Sequence, residues 1–510
     1  MLINSMLITE IRSKGATTLH QSFCMSAGLI LLCVAIYTIA LFGVTWITSR
    51  GASNETYFVG NRSSKWYLVA YGMIGASLSG VTFMSVPGDV EARNFYYFQM
   101  VLGYLLGYAV IAFVLLPLYY RLNVTSIYSY LQQRFGNVSY KSGALFFIVS
   151  RVLGASLRMF IVVNVLQLFV FNQWGVPFWV TGLIFVLLIL VYTFEGGVKT
   201  IVWTDTFQTT FMVLSLVLSV ILIAREMDFN FSELTTYITD SVHSTVINTD
   251  WKDKQFFPKA FFGGMFIAIT MTGLDQEMMQ KNISCKSLKE AQKNVLTFSA
   301  ILVFINLLFL CLGVLLIGYA QKNGIVVERS DDLFPTIALN YLGTASAIFF
   351  IIGLISAAYP SADGALTALT ASVCIDFLGF NETHNTWDEK KKKQVRYIVH
   401  ISFAVLLLLC MIVFKVVNDA SVLRTLFTIA SFTYGPLLGL FAFGVLTKRA
   451  IREKLVPIVV ILAPALCYVL SELPVFKSSG FQFGNEILIY NGLFTFIGLW
   501  LISTPNKSLS

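Results

Sequence analysis

Charge is what this sequence has least of. Only 12% of its 510 residues are Asp, Glu, Lys or Arg, about half the share of a soluble globular chain. A chain that is 56% hydrophobic cannot cover its surface with polar groups, so an ordinary water-soluble enzyme or binding module is excluded. Histidine is also scarce: His20, His243, His384 and His400 are scattered. They support neither a metal cluster nor a nucleophile–base pair. The cysteines form no disulfide framework, because Cys33, Cys311, Cys374, Cys410 and Cys467 lie in apolar runs while Cys24 and Cys285 are isolated. No repeated filter motif suggests a channel. No small-residue cleavage site follows a short apolar core, which argues against a removed signal peptide. Residues 1–24 read either as a mis-assigned start, with Met25 the native first residue, or as a short disordered tail.

What the chain does have is apolar windows of about twenty residues, each able to cross a hydrocarbon core of about 30 Å. In lipid the backbone must satisfy its own polar groups, so each window is expected to be a helix. Thirteen spans can be read: a leader at 26–48; ten core spans at 66–87, 95–120, 142–171, 177–194, 197–224, 257–280, 294–320, 343–378, 395–417 and 420–446; and peripheral spans at 455–472 and 486–503. The expected fold class is an all-α polytopic membrane protein. Its divisions are a 1–24 tail, a 25–50 leader helix, a 66–446 core (66–224 and 257–446 as two repeats), and a 447–510 segment of two peripheral helices and a C-terminal tail. The formal charge of +8 does not imply nucleic acid, because the basic residues sit in short loops. Alternate loops are rich in Lys and Arg, from Arg50, Arg62 and Lys65 through Arg121, Arg134 and Lys141 to Lys390–Lys393 and Lys448–Lys454, and Lys281 is counted among these loop cations. By the positive-inside rule those loops are cytoplasmic, placing the N-terminus outside and the C-terminus inside an inner (plasma) membrane.

Two core spans are interrupted by small residues at corresponding places: YGMIGASLSGVTFMSVPG (71–88) and FFGGMFIAITMTG (261–273). Five spans apart, they have opposite orientation, and paired broken helices in two halves point to the midplane site of a transporter. Taken alone, the glycines of the second read equally well as packing devices. Charges inside the hydrocarbon cost at least about 2–3 kcal/mol and are usually paired or functional. Asp205, Asp363, Arg151 and Arg158 qualify, the arginines seven apart on one helix face.

GGVKTIVWTDTFQ (196–208) closely resembles the strongest motif of the sodium:solute symporter family, which includes sodium/glucose, sodium/proline and sodium/sialic acid cotransporters. YLQQRFG (130–136), DQEMMQKNISCKSLKEAQK (275–293) and SAAYPSADGALTALTASVCIDF (356–377) resemble further family stretches, in order, over about residues 26–450. The resemblance implies a LeuT-like 5+5 inverted repeat with about thirteen transmembrane helices. It further implies Na⁺ as coupling ion without an organic cofactor, and no enzymatic activity. The expected partners are sodium, a small-molecule solute and the lipid bilayer, with no nucleic acid and no obligate protein partner. The implied sodium ligands are the carbonyls of Gly75, Leu78 and Ala357 and the hydroxyl positions 360 and 361. Pro360 departs from the pattern, removing a hydroxyl and freeing the carbonyl of Ser356 from its helical partner. Either that carbonyl or a water replaces the lost oxygen, or the site is weakened or merely kinked. Asp205 matches an aspartate associated with sodium coupling, its alternative being a partner for Arg151 or Arg158. Asp363 could neutralise an arginine, serve the ion path or be protonated.

For the solute, Ser77, Ser79 and Thr82 at the first break, Gln99 on core span 2, Arg158 on core span 3 and Thr272 on core span 6 suit a small polar or anionic molecule. Phe427 and Tyr434 are candidates to close the pocket. The hydroxyls could equally be helix-packing glue. Ala268 stands where sugar-binding relatives carry Asn, so sugar is not favoured. The expected function is therefore a sodium-coupled symporter importing such a solute by alternating access. The alternatives are a transporter-like sensor, or a symporter for a sugar or an inorganic anion. One sodium moving down ~100 mV releases about 2.3 kcal/mol. A tenfold gradient adds about 1.4 kcal/mol, enough together for roughly 500-fold accumulation of a neutral solute.

Overall fold

The structure is a computed structural model that describes residues 26–48, 64–124, 126–193, 198–380, 385–417 and 421–505. The N-terminal tail, the choice between Met1 and Met25, and the loop residues Arg50 and Arg62 lie outside the described residues. The described chain is almost wholly helical. Its main helices are α1 (Ala27–Thr48), α2 (Trp66–Ser77), α3 (Gly80–Gly88), α4 (Tyr96–Val110), α5 (Asn137–Phe169), α6 (Phe178–Thr193), α7 (Val198–Glu226), α8 (Phe257–Ala268) and α9 (Gln276–Ile283). They continue with α10 (Leu288–Asn323), α11 (Gly343–Ser372), α12 (Glu389–Val417), α13 (Val422–Thr433), α14 (Gly435–Leu446), α15 (Val456–Glu472) and α16 (Ile487–Leu501). Among the described residues eight helices are long and apolar enough to cross a membrane, and three bent pairs and the shorter apolar stretches Phe178–Val191 and Ile487–Leu501 add to them. This agrees with the expectation of about thirteen spans.

Sequence dictates these helices through period and caps. In α12 the buried residues Arg396, His400, Phe403, Leu407 and Met411 fall on one stripe, while Ile398, Val405, Leu409 and Val413 on the other side are exposed. One stripe packs inward and the other meets lipid. The α10 helix starts at Ser287, whose hydroxyl accepts the Glu290 N–H, and stops at Gly324, whose φ of 64° is left-handed. The core buries α11 most deeply. It packs against α5, α7 and α12, and His400 of α12 bridges Thr193 of α6 and Thr370 of α11, each at 2.9 Å. Beyond the core, Ala450–Ile451 pairs antiparallel with Ser503–Thr504, tying the chain after α14 to the end of α16.

Three spans are bent. The first break separates α2 from α3 by 56°, within the stretch expected from sequence. The second, 67° between Phe257–Gly273 and α9, corrects the expectation for core span 6. Gly263 and Gly264 do not interrupt the helix. A Cβ at Gly264 would run into the Met100 carbonyl, and one at Gly103 into that of Phe261, so these glycines let α8 and α4 pack backbone to backbone. The chain instead breaks at Leu274–Asp275, where the Asp275 carboxylate caps α9 by accepting the N–H groups of Glu277 and Met278. The third bend, 44° between α13 and α14, was not expected. It falls before Gly435–Pro436, and Asn491 of α16 fills the space above Gly435. The Asn491 amide donates to the carbonyls of Ser431 and Phe432 at 3.1 and 2.9 Å.

Candidate functional site

At the first break the backbone is irregular because Leu78 (φ −87°, ψ 80°) and Ser79 (φ −77°, ψ 176°) leave helical geometry. The Leu78 N–H still donates to the Ile74 carbonyl at 2.7 Å. The later carbonyls of α2 have no helical donor ahead of them, which makes them available as oxygen ligands. Glycines bring this turn close to its neighbours. The Gly75 N–H donates to the Thr209 hydroxyl of α7 at 3.0 Å, and a Cβ on Gly80 would collide with Val162 of α5. The α11 helix packs against α2, α3 and α7 and continues unbroken past Pro360. Ala357, Pro360 and Ser361 are all buried, and the Ser361 hydroxyl has no hydrogen-bond partner among the described residues. A buried hydroxyl without a partner is costly unless something else uses it. Gly75, Leu78, Ala357, Pro360 and Ser361 thus lie on helices that meet here.

Asp205 lies one helical turn before Thr209, beside Gly72, but its carboxylate is already paired. Lys281 of α9 reaches it at 2.7 Å and also reaches Glu277 at 3.0 Å. Glu277 in turn pairs with Arg151 of α5. Arg151 also approaches Asp275 at 3.5 Å, and Asp275 accepts the Tyr434 hydroxyl at 3.0 Å. One buried network therefore ties α7, α9, α5 and the bend before α14. Sequence reasoning had placed Lys281 in a loop and offered arginine as the partner of Asp205; the cation is Lys281. Asp363 accepts the Gly364 N–H at 2.6 Å. Gln208, also unforeseen, is buried on α7 with both side-chain polar atoms unpartnered among the described residues.

Above the break lies a small cavity of about 80 Å³. Ser77, Ser79 and Thr82 from the broken span, Arg158 and Arg151 from α5, and Thr272 from the π-helical turn Ile269–Gly273 that follows α8 all line it. Tyr108 of α4 lines the same cavity as Ser77 and Thr272, so three spans contribute to its wall. Arg158 is buried, and its Nε has no hydrogen-bond partner among the described residues. While Arg151 is held by acids, Arg158 faces the cavity. Ala268 also lines it.

Two expected residues lie elsewhere. Gln99 is corrected: its amide donates to the carbonyls of Tyr96 and Gln255, and its oxygen accepts the Asn248 N–H. It staples the 248–255 loop to α4 and does not line the cavity. Tyr434 binds Asp275 beneath the cavity, whereas Phe427 lines it and lies against Tyr97, ring centroids 6.4 Å apart. Tyr97, Leu423 and Phe427 also floor a larger vestibule of about 450 Å³, so this aromatic pair separates two compartments. No group of His, Cys, Asp and Glu suited to a metal centre occurs among the described residues.

The sodium:solute symporter family profile matches residues 57–453. Among curated relatives, the chain is 24% identical to the sodium/sialic acid symporter SiaT of Proteus mirabilis, over 80% of this chain and 82% of that one. It is 26% identical to sodium-coupled monocarboxylate transporter 1 of Mus musculus, over 84% of this chain and 69% of that one. The solved structure of a Na⁺-coupled sialic acid symporter in a substrate-bound outward-open state superposes with a TM-score of 0.77 at 20% identity, covering 94% of this chain and 99% of that one. That likeness shows the LeuT-like fold. The chain belongs to the sodium:solute symporter family: it is a multi-pass membrane protein that couples a solute to sodium, not an enzyme.

Proposed function

We propose that this sodium:solute symporter imports a small organic anion, and that Arg158 takes its carboxylate. The observation that carries the reading is a buried guanidinium, two turns from an acid-paired arginine, turned into a cavity at a broken helix. Hydrogen bonds to a charged group contribute about 1.5–3 kcal/mol each, and an arginine fork matches a carboxylate bidentately. Ser77, Ser79, Thr82 and Thr272 supply the remaining polar contacts. The names of the relatives, a sialic acid symporter and a monocarboxylate transporter, agree with an anion. The testing experiment is uptake into proteoliposomes under an inward sodium gradient, with labelled N-acetylneuraminate, pyruvate, glucose and proline. Accumulation of glucose or proline without either anion overturns the reading.

The sodium site in this proposal is formed by the carbonyls of Gly75, Leu78 and Ala357 and the Ser361 hydroxyl, with the Ser356 carbonyl freed by Pro360 as a further oxygen. Asp205 is not counted among its ligands, since Lys281 occupies its carboxylate. Ser361→Ala is expected to raise the sodium concentration for half-maximal uptake about tenfold, the loss of about 1.4 kcal/mol. Pro360→Ser is expected to shift it as well; uptake curves that superpose on the parent would remove Ser356 as a ligand.

With one sodium and one monovalent anion the cycle carries no net charge. The ~100 mV that releases about 2.3 kcal/mol for sodium is consumed by moving the anion in the same direction. Accumulation then follows the sodium gradient alone, about tenfold for a tenfold gradient. Imposing a potential with potassium and valinomycin should leave steady-state accumulation unchanged; a rise of about 50-fold per ~100 mV would show one uncompensated charge, from a second sodium or a neutral solute. The proposed location is the inner (plasma) membrane with the C-terminus cytoplasmic, supported by the basic loops, and no nucleic acid or obligate protein partner takes part.

A further inference from the structure

The vestibule above the Tyr97–Phe427 pair is walled by three cationic residues from separate segments: Arg93 after α3, Lys254 in the loop before α8, and Arg424 on α13. Two acids also line it. Asp89 is engaged by Arg424 at 3.6 Å and by the Ser330 hydroxyl at 3.4 Å, and Glu472 is paired with Lys477 outside. Among the described residues neither acid forms an ion pair with Arg93 or Lys254, on which Asp89 and the neighbouring Asp253 act only at longer range. The Arg424 Nε is buried without a hydrogen-bond partner among the described residues.

The cations feel one another. Burial, then the charges of Arg93 and Arg424, hold the Lys254 ammonium below its ordinary value against the opposing pull of Asp253 and Asp89. Burial likewise lowers the Arg93 guanidinium, with Arg424 acting in the same direction and Asp89 and Asp253 against it. Like charges crowded around a partly enclosed space of about 450 Å³ are relieved by an anion within it, and low-dielectric walls focus their field onto the opening. The space is several times larger than the cavity beneath, and the two share Tyr97, Leu423 and Phe427. An anion released here has one aromatic layer to pass before reaching Arg158.

We infer that this vestibule is a second anion site, where Arg93, Lys254 and Arg424 capture a carboxylate-bearing solute before it passes Tyr97 and Phe427 into the cavity below. The inference rests on the proposed anionic solute and adds a capture step to it. Capture by charge acts on encounter rate more than on the later steps and weakens as salt screens it. The amide in Lys254→Gln removes the charge from a loop position while keeping a polar side chain.

The test is initial-rate uptake of N-acetylneuraminate and pyruvate by the full chain in proteoliposomes. Sodium is held fixed and ionic strength is varied with choline chloride. For whichever anion the wild type accumulates, Lys254→Gln is expected to raise KM about tenfold with kcat changed less than twofold. It should also flatten the fall of kcat/KM with salt, and Lys254→Arg should restore both. If Lys254→Gln transports with the parent's KM and salt dependence, the vestibule site is overturned while the anionic solute stands. If the wild type accumulates neither anion, the solute reading fails and the capture step goes with it. Thermal unfolding of the purified variant checks that a changed KM is not a folding defect.

Discussion

Replacing Lys281 by methionine is expected to destabilise the folded protein by about 3–5 kcal/mol, the usual consequence of removing one partner from a buried ion pair. Lys281 holds Asp205 at 2.7 Å and Glu277 at 3.0 Å, and all three side chains are buried. Glu277 keeps Arg151, but Asp205 would keep no cation among the described residues. The measurement is thermal unfolding of detergent-purified protein, read with the yield of folded material. The double variant Lys281→Met/Asp205→Asn is expected to recover most of the loss, because removing both charges avoids an unpaired buried carboxylate. A single variant as stable as the parent would show that Lys281 does not balance Asp205. Because Lys281 already neutralises the carboxylate, Asp205→Asn alone is expected to lower stability while leaving the sodium concentration for half-maximal uptake near the parent value. A sodium requirement that rises steeply in Asp205→Asn would return Asp205 to the ion site.

Arg158→Gln should reduce kcat/KM for the transported anion by roughly ten- to a hundredfold, corresponding to about 1.5–3 kcal/mol for a hydrogen bond to a charged partner. The loss should appear in KM, because the contact is made in the bound state that precedes transport. Arg158→Lys is expected to fall between, since it retains the charge but not the planar fork. Arg151→Gln behaves differently in this scheme: it breaks contacts to Glu277 and Asp275, so its signature is lost stability. Equal effects of the two substitutions on KM and on thermal unfolding would show that both arginines are structural.

Hydropathy made the spans legible, since in lipid an apolar run of sufficient length has little choice but to be helical. The first break was legible because glycine and serine cluster ahead of Pro87. The second was misplaced because glycine has two uses. Gly264 serves close packing on α4 and Gly263 faces Asn485 ahead of α16, and the true break is marked by Asp275, a helix-capping residue in an apolar neighbourhood. The bend before Gly435–Pro436 was missed although Gly-Pro is a turn signal, because the residues around it are apolar enough to read as one helix. Lys281 was missed for a different reason: counted with Lys286, Lys289 and Lys293, it looked like one more loop cation. Its spacing of four from Glu277, in a helix capped by Asp275, was the available sign. Arg158 stood out as a charge in hydrocarbon, whereas Gln99 has the right helix but the wrong face, and only the path of the 248–255 loop reveals it.

Asn491 gives α16, the last helix, an unexpected place beside the site. Two carbonyls loosened where α13 turns into α14 find their donors on α16, and α13 carries both Phe427 of the aromatic layer and Arg424 of the vestibule. In hydrocarbon no water stands in for a missing donor. The helix that carries the aromatic layer and a vestibule cation is therefore anchored in part from α16, and losing the Asn491 amide would strand both carbonyls.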